Sequence, residues 1–462
     1  MSDSSDWIVD RLATFGADTA IVRGERSTSY DALVSAIPAV AARLDEAGIV
    51  PGARVVVIGD FGTTSSAVLL ELIRRRCVLV PMTATTAKRR DTLFEICAAE
   101  WCVEVDEAET ADLTIEPLAS ANAANATHPL FRELTDRDVP GLVLFTSGST
   151  GEPKAVVHDF SLLLDKFRKG GRPLRTVNFL LFDHWGGLNT LLHTLTSGGL
   201  VACPESRNPE YICGLIETHR LELLPASPSF LNMMMVSGAH KHHDLSSLRL
   251  ITYGAEPMPE STLARLNREL PDIDFRQTYG LIELGVLRAK SASSDSLLVK
   301  IGGEGYDIRV TDGMLEIKAR SSMLGYLNAP SPFTDDGYFR TGDRVEVHGE
   351  YVRILGRESE QINVGGEKVF PTEVEAVLLD SPLVLDAVVY GQKHPLSGRI
   401  VCADVVRAET ELAEAAARTA LRKFCNERLE SFKVPVKIKF VEGPLAGDRQ
   451  KRVRIGRDEA TS

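Results

Sequence analysis

The chain has 462 residues, is 44% hydrophobic, and carries a formal net charge of -12 at pH 7. That length exceeds what one core comfortably fills and points to at least two domains. The acidic balance argues against nucleic acid or an anionic membrane as partner. No run reaches the roughly 18 apolar residues that span a bilayer, and the opening "MSDSSDWIVD" has neither the basic start nor the apolar centre of a secretory signal. A soluble cytoplasmic protein is expected, as a monomer or a homodimer. The seven cysteines are odd in number and scattered, without C-x-x-C spacing, and read as buried thiols of a reducing compartment.

In chain order, short apolar runs, "RVVVIG" (54–59), "CVLVPM" (77–82), "GLVLF" (141–145) and "LRLITYG" (248–254), alternate with helical patterns such as "TTSSAVLLELIRRR" and "ESTLARLNREL". Strands alternating with helices imply largely parallel sheets covered on both faces, the α/β class. The stretch "HKHH" (His240, His242, His243) could supply metal ligands, but its neighbours "SGA" and "DLSS" are loop formers and favour a solvated turn. Between about 285 and 356 the runs "YDIRV", "GMLEIKA", "DRVEV" and "EYVRIL" are punctuated by Gly and Asp, which predicts an antiparallel, barrel-like subdomain. After "LGRESE" the pattern restarts with a turn "NVGGEKVFP", a helix "TEVEAVLLD", strands in "LDAVVYG" and "RIVCADVV", a helix over 411–430, a strand "VKIKFV" and a basic tail. The boundary is placed near Gly356 to Glu360, giving a large domain over 1–357 and a small, mobile α+β domain over 358–462.

The stretch "TSGSTGEPK", Thr146 to Lys154, lies between the apolar runs "LVLF" and "AVV". Glycine lets backbone N–H groups approach an anion closely. The hydroxyls of Thr146, Ser147, Ser149 and Thr150, the backbone at Gly148 and the ammonium of Lys154 add to such a cradle. It is not the ordinary nucleoside-triphosphate loop, which needs Lys directly after the second glycine and a hydroxyl residue behind it.

This stretch resembles the signature loop of the adenylate-forming superfamily of acyl-CoA synthetases, adenylation domains and luciferases. Further similar stretches follow in the same order: "FDHWGG" (182–187), "TYGAEPM" (252–258), "QTYGLIE" (277–283), "YFRTGD" (338–343), "GRESEQINVGGEKVFPTEVE" (356–375) and the end of the chain from "FKVPVKIKFV" to "PLAGDRQKRVR". The resemblance covers nearly the whole chain and implies attack of a carboxylate on the α-phosphate of ATP.

It also implies roles. Thr146, Ser147, Gly148, Ser149, Thr150 and Lys154 would hold the β and γ phosphates. Glu283, with Thr146, would serve Mg²⁺, for which a carboxylate is the expected hard oxygen ligand. Thr278 would meet the α-phosphate, Tyr279 would stack on adenine, and Gly254, Ala255 and Glu256 would lie beside acid and adenine. Asp343 would accept both ribose hydroxyls, a task suited to a two-oxygen anion with no donor, with Arg357 nearby. His184 and Trp185 would shape the acid pocket, while Asp183 resembles the aspartate by which some amino-acid adenylation domains bind the substrate ammonium. Lys451 would bridge acid and α-phosphate, and "QKRVR" keeps Lys451 and Arg454 at the family spacing although Gln450 replaces a glycine. Ser359 stands where the family commonly pivots on an aspartate or lysine. Gly365 and Gly366 would admit a pantetheine arm, and Lys433, Lys437 and Lys439 would meet a phosphorylated thiol donor. The implied partners are a small carboxylic acid and either coenzyme A or an acyl or peptidyl carrier protein.

Overall fold

Two helices with no polar face set the architecture. In Thr63–Arg74 every residue from Thr64 to Ile73 is buried, and Trp185–Thr196 is buried apart from Asn189 and His193. A helix apolar all round must be covered on every side. In this computed structural model, which describes residues 6–107, 112–118, 127–147, 152–394, 398–443, 445, 447 and 454, these helices lie between two seven-stranded sheets. The only acid inside Thr63–Arg74, Glu71, is fully buried and held by Arg74 Nε at 2.7 Å and Arg75 Nε at 2.6 Å, as a buried charge requires.

One sheet runs Gly325–Tyr326, Pro153–Asp159, Gly141–Ser147, Val78–Met82, Arg54–Ile58, Trp101–Asp106, Asp112–Pro117. Its centre is parallel and both margins are antiparallel. The other runs Asp274–Gln277, Leu250–Tyr253, Leu223–Ala226, Arg175–Val177, Leu200–Ala202, Thr19–Arg23, Arg26–Ser29, and is parallel up to its last, antiparallel pair. Their outer faces are covered by Arg90–Ile96 with Pro129–Asp136, and by Pro209–His219, Pro228–Ser237 and Glu260–Glu269. The result is a five-layer α/β body. It matches the expected class.

The expected hairpins form a six-stranded, wholly antiparallel sheet: Ala289–Ser291, Leu298–Ile301, Tyr351–Arg357, Phe339–His348, Met314–Ala319 and Tyr306–Thr311. A smaller α+β unit follows, with its own core. It holds the hairpin Ile362–Val364/Glu367–Val369, the long pair Val384–His394/Gly398–Arg407, and Lys437–Phe440 parallel to the latter. The helix expected over 411–430 is shorter, Glu414–Asn426, because the chain turns where the N–H groups of Arg428 and Leu429 both bond Cys425 O.

The solvated turn expected at "HKHH" holds only in part: Lys241 and His242 are exposed, but Ala239–His242 is helical and His240 is only 7% exposed. The His240 ring lies between Met234 O (3.2 Å) and Glu269 Oε2 (2.9 Å), while His242 and His243 are bonded to Glu210 and His243 also to Glu217. Carboxylates distant in sequence capture these rings. Among the described residues no group of three or more His, Cys, Asp or Glu could hold a metal, and no helix is long and apolar enough to cross a membrane. All seven cysteines are buried and free.

Candidate active site

The loop "TSGSTGEPK" closes an antiparallel hairpin, Gly141–Ser147 with Pro153–Asp159, whose register sets Thr146 opposite Lys154. Directly paired residues share one face about 5 Å apart, so the expected phosphate hydroxyl and ammonium stand side by side at the loop's mouth. Gly148, Ser149 and Thr150 lie outside the described residues, as does Lys451. Lys154 Nζ sits 5.5 Å over the ring of Tyr326, and the Tyr326 hydroxyl donates to Glu283 Oε1 at 2.8 Å.

Glu283 lies in the turn between the short paired strands Gly280–Leu281 and Gly285–Val286. Its backbone is tied on both sides: Met323 N donates to Glu283 O (2.7 Å), and His158 Nε2–H to Ile282 O (2.6 Å). His158 is 1% exposed, and burial lowers its pKa to about 4. The imidazole is therefore neutral near pH 7, with Nε2 as the donor. Burial, with the Glu283 charge beside it, pushes the Tyr326 phenol up, so it remains protonated and donates.

A second group forms on the antiparallel sheet, where Asp343 pairs across strands with Arg357. Asp343 is buried; Arg357 Nε lies 3.2 Å from its Oδ1, and the Tyr279 hydroxyl donates to Oδ2 at 2.6 Å. Burial raises the Asp343 carboxyl while Arg357 and Tyr279 oppose that rise. Each oxygen keeps a second lone pair for a further donor. Arg357 also acts electrostatically on Glu283 and Tyr326. One guanidinium thus serves both groups.

The loop 254–256 is pressed onto Thr278. A Cβ on Gly254 would stand 2.6 Å from Thr278 Oγ1, so only glycine fits, and Thr278 Oγ1 donates to Tyr253 O at 3.1 Å. Ala255 follows at φ +70°, in the left-handed region that non-glycine residues rarely adopt. Glu256 accepts from Ser229 through its N–H (3.3 Å) and hydroxyl (2.9 Å). This joins the loop to the helix Pro228–Ser237.

In the "FDHWGG" stretch, His184 Nδ1 accepts from Gly186 N at 3.0 Å and caps Trp185–Thr196. Asp183 is buried and takes the hydroxyl of Thr86. Trp185, expected as a pocket wall, is a core residue: it is 2% exposed and packs edge-on against Phe160. As the first residue of a buried helix it has no free face.

In the small domain, Arg454 spans Glu360 (2.8 Å) and Glu375 (2.8 and 3.1 Å). Glu375 is fully buried and also accepts from Val389 N at 2.9 Å. Glu256 acts electrostatically on Arg454, which places Arg454 near the 254–256 loop. Ser359 lies in a 3-10 turn, Glu358–Glu360, whose Glu358 pairs with Arg344 at 3.1 Å. Gly365 and Gly366 have positive φ, and a Cβ on either would meet nothing. Lys433 is held at 2.8 Å by both Glu373 and Glu430, and Lys437 donates to Gln392. The sequence reading missed Tyr326, His158 and the Glu375–Glu360 pair, whose partners are all remote in the chain.

The family model described as AMP-binding enzyme matches residues 9–313, and that of the AMP-binding enzyme C-terminal domain matches 373–447. The chain belongs to the AMP-binding enzyme family. As a member it is an adenylate-forming enzyme, one that activates a carboxylic acid as an acyl-adenylate. It is 26% identical to the indoleacetate–CoA ligase of Aromatoleum aromaticum over 95% of this chain and 94% of that protein. Among solved structures it is similar to the anthranilate CoA ligase AuaEII in complex with anthranoyl-AMP (TM-score 0.77, 18% identity, 96% and 95% of the two chains). It is also similar to ATP-bound MatB from Rhodopseudomonas palustris (TM-score 0.76, 22% identity, 96% of each).

Proposed function

We propose that this enzyme joins a carboxylic acid, aryl or acyl, to coenzyme A in two steps: acid plus ATP gives acyl-adenylate and pyrophosphate, then the thiol of coenzyme A takes the acyl group and releases AMP and a proton. The observation that carries this reading is the convergence of Asp343–Tyr279 and Glu283–Tyr326–Lys154 around Arg357. Such a set offers acceptors for a sugar, a carboxylate for a cation and cations for phosphates. The likeness to an indoleacetate–CoA ligase supports an aromatic acid and coenzyme A as the first choices to test.

In this reading residues 1–357 bind acid and ATP, and 358–462 close over them. Mg²⁺ fits the donors present: Glu283 and Thr146 offer hard oxygens, and this ion commonly takes the rest of its shell from phosphates and water. When bound it offsets the charge of the polyphosphate. Lys154 and the hairpin hydroxyls hold the leaving pyrophosphate, and Asp343 fixes the ribose. Thr278, next to Gly254, faces the α-phosphate. Lys451 brings the acid's carboxylate and the α-phosphate together, two anions that otherwise repel.

The test is ATP–pyrophosphate exchange over a panel of aryl, fatty and amino acids, repeated with Lys451→Ala. Exchange that depends on an acid and falls at least about a hundredfold in the variant is expected, the scale of losing a transition-state charge contact. Undiminished exchange removes the role given to Lys451. Comparing coenzyme A with a phosphopantetheinylated carrier as acyl acceptor then decides the second step.

A further inference from the structure

The edge segment Gly325–Tyr326 is fastened to the strand that carries Lys154. Its register is Gly325 with Val157 and Tyr326 with Val156. Leu324 N and Leu327 N donate to Val157 O (2.8 Å) and Ala155 O (2.9 Å) on either side. Asn328 then brackets Lys154: its Oδ1 accepts from Ala155 N at 3.0 Å and its Nδ2 donates to Pro153 O at 2.8 Å. Nothing in this arrangement leaves Tyr326 free to drift along the strand.

From that fixed base the Tyr326 side chain serves two groups at once. Its ring lies 5.5 Å below Lys154 Nζ, within the range of a cation–π contact. Its hydroxyl donates at 2.8 Å to Glu283 Oε1, a charge-assisted bond that fixes direction as well as distance. Among the described residues Glu283 Oε2 makes no hydrogen bond. The Glu283 backbone is immobilised separately, through Met323 and His158, so the side-chain torsions are what remains to be set.

We propose that Tyr326 is a positioning residue that couples the cation-binding carboxylate to the phosphate-binding lysine: its hydroxyl holds one Glu283 oxygen and turns the other toward the cation, and its ring holds the Lys154 ammonium at the loop's mouth. This deepens the adenylation reading and rests on it. The two functions are separable, since Tyr326→Phe removes only the hydroxyl and Tyr326→Leu removes the ring as well.

The decisive measurement is equilibrium binding. Mn²⁺ affinity is read by electron paramagnetic resonance in the presence of a non-hydrolysable ATP analogue, and affinity for the analogue alone is read by calorimetry without metal. Tyr326→Phe is expected to weaken Mn²⁺ by about five- to twentyfold, the scale of one charge-assisted bond, with metal-free nucleotide affinity and the acid's KM unchanged. Tyr326→Leu is expected to weaken metal-free nucleotide binding about three- to tenfold in addition, the scale of a cation–π contact. In a Glu283→Gln background Tyr326→Phe should cost no further Mn²⁺ affinity, whereas a merely structural role would add independently. Unchanged Mn²⁺ affinity in Tyr326→Phe, or additive losses in the double variant, overturns the inference while leaving the adenylation reading intact. Unchanged Mn²⁺ affinity in Glu283→Gln instead removes the role of Glu283, and this inference with it.

Discussion

Asp343 illustrates how much one buried carboxylate does when each oxygen has a fixed neighbour. Burial alone would favour its neutral form; the Arg357 guanidinium on Oδ1 and the Tyr279 hydroxyl on Oδ2 offset that cost and also lock the plane of the group. Asn at this position replaces an acceptor with a donor and leaves Arg357 without its counter-charge. With charge-assisted bonds worth about 1.5–3 kcal/mol each and about 1.4 kcal/mol per tenfold, Asp343→Asn should raise the KM for ATP in pyrophosphate exchange about a hundredfold. Tyr279→Phe keeps the ring and loses one charge-assisted bond, to Oδ2 alone, so its effect should be about tenfold, the lower end of the range for a single such bond. An ATP KM within twofold of the parent enzyme in Asp343→Asn would exclude Asp343 from nucleotide binding.

At the scale of elements, the helix Glu260–Glu269 is anchored to the "HKHH" segment through Glu269. Burial acts to raise that carboxyl, but bonds from Arg265, His240 and Lys241 outweigh it and hold the pKa at about 2, against an ordinary 4.5. A carboxyl lowered in the folded state adds stability that is complete above about pH 4.5 and disappears as the pH falls toward 2. Urea midpoints of the parent and Glu269→Gln should therefore differ most above pH 4.5 and converge toward pH 2; a constant difference would mean the contribution is not ionic. This anchor was illegible in the sequence, because nothing near His240 reveals that Glu269 folds back onto it. Loop formers on both sides made the histidines read as exposed. The phosphate hairpin was legible for the opposite reason: its Gly and Ser run sits between two apolar strands adjacent in the chain, so local order fixes the pairing. Tyr326 was missed like His240. A lone tyrosine in a two-residue strand carries no period, and its partners Lys154 and Glu283 come from different parts of the chain. The helix Trp185–Thr196 was legible as part of a motif, but Trp185 was assigned to a pocket because its complete burial depends on both sheets.

For the whole molecule, the proposed closure of 358–462 over 1–357 raises the question of what holds the two together. Arg454 is bound by Glu375 and Glu360, which ties it to the small domain and to the turn Glu358–Glu360. Between the two bodies Arg344 pairs with Glu358 at the turn. Farther out, Asn232 on the buried face of Pro228–Ser237 donates through Nδ2 to Leu385 O (3.2 Å) and Asp386 Oδ1 (3.3 Å). That contact needs a donor at 232, since both partners are acceptors. Asn232→Asp is nearly isosteric but sets a carboxylate against a carboxylate and a carbonyl, which penalises the closed arrangement while leaving every group assigned to ATP in place. A bias of ~1–1.4 kcal/mol against closure lowers the closed-to-open ratio about five- to tenfold. Pyrophosphate exchange should slow, by up to that factor, with the KM for ATP little changed. Transfer from a preformed acyl-adenylate to coenzyme A should keep its rate if, as a pivot at Ser359 implies, the small domain leaves this arrangement before that step. Equal slowing of both half-reactions would mean that Asn232 supports the large domain's own helix rather than the closed position of the lid.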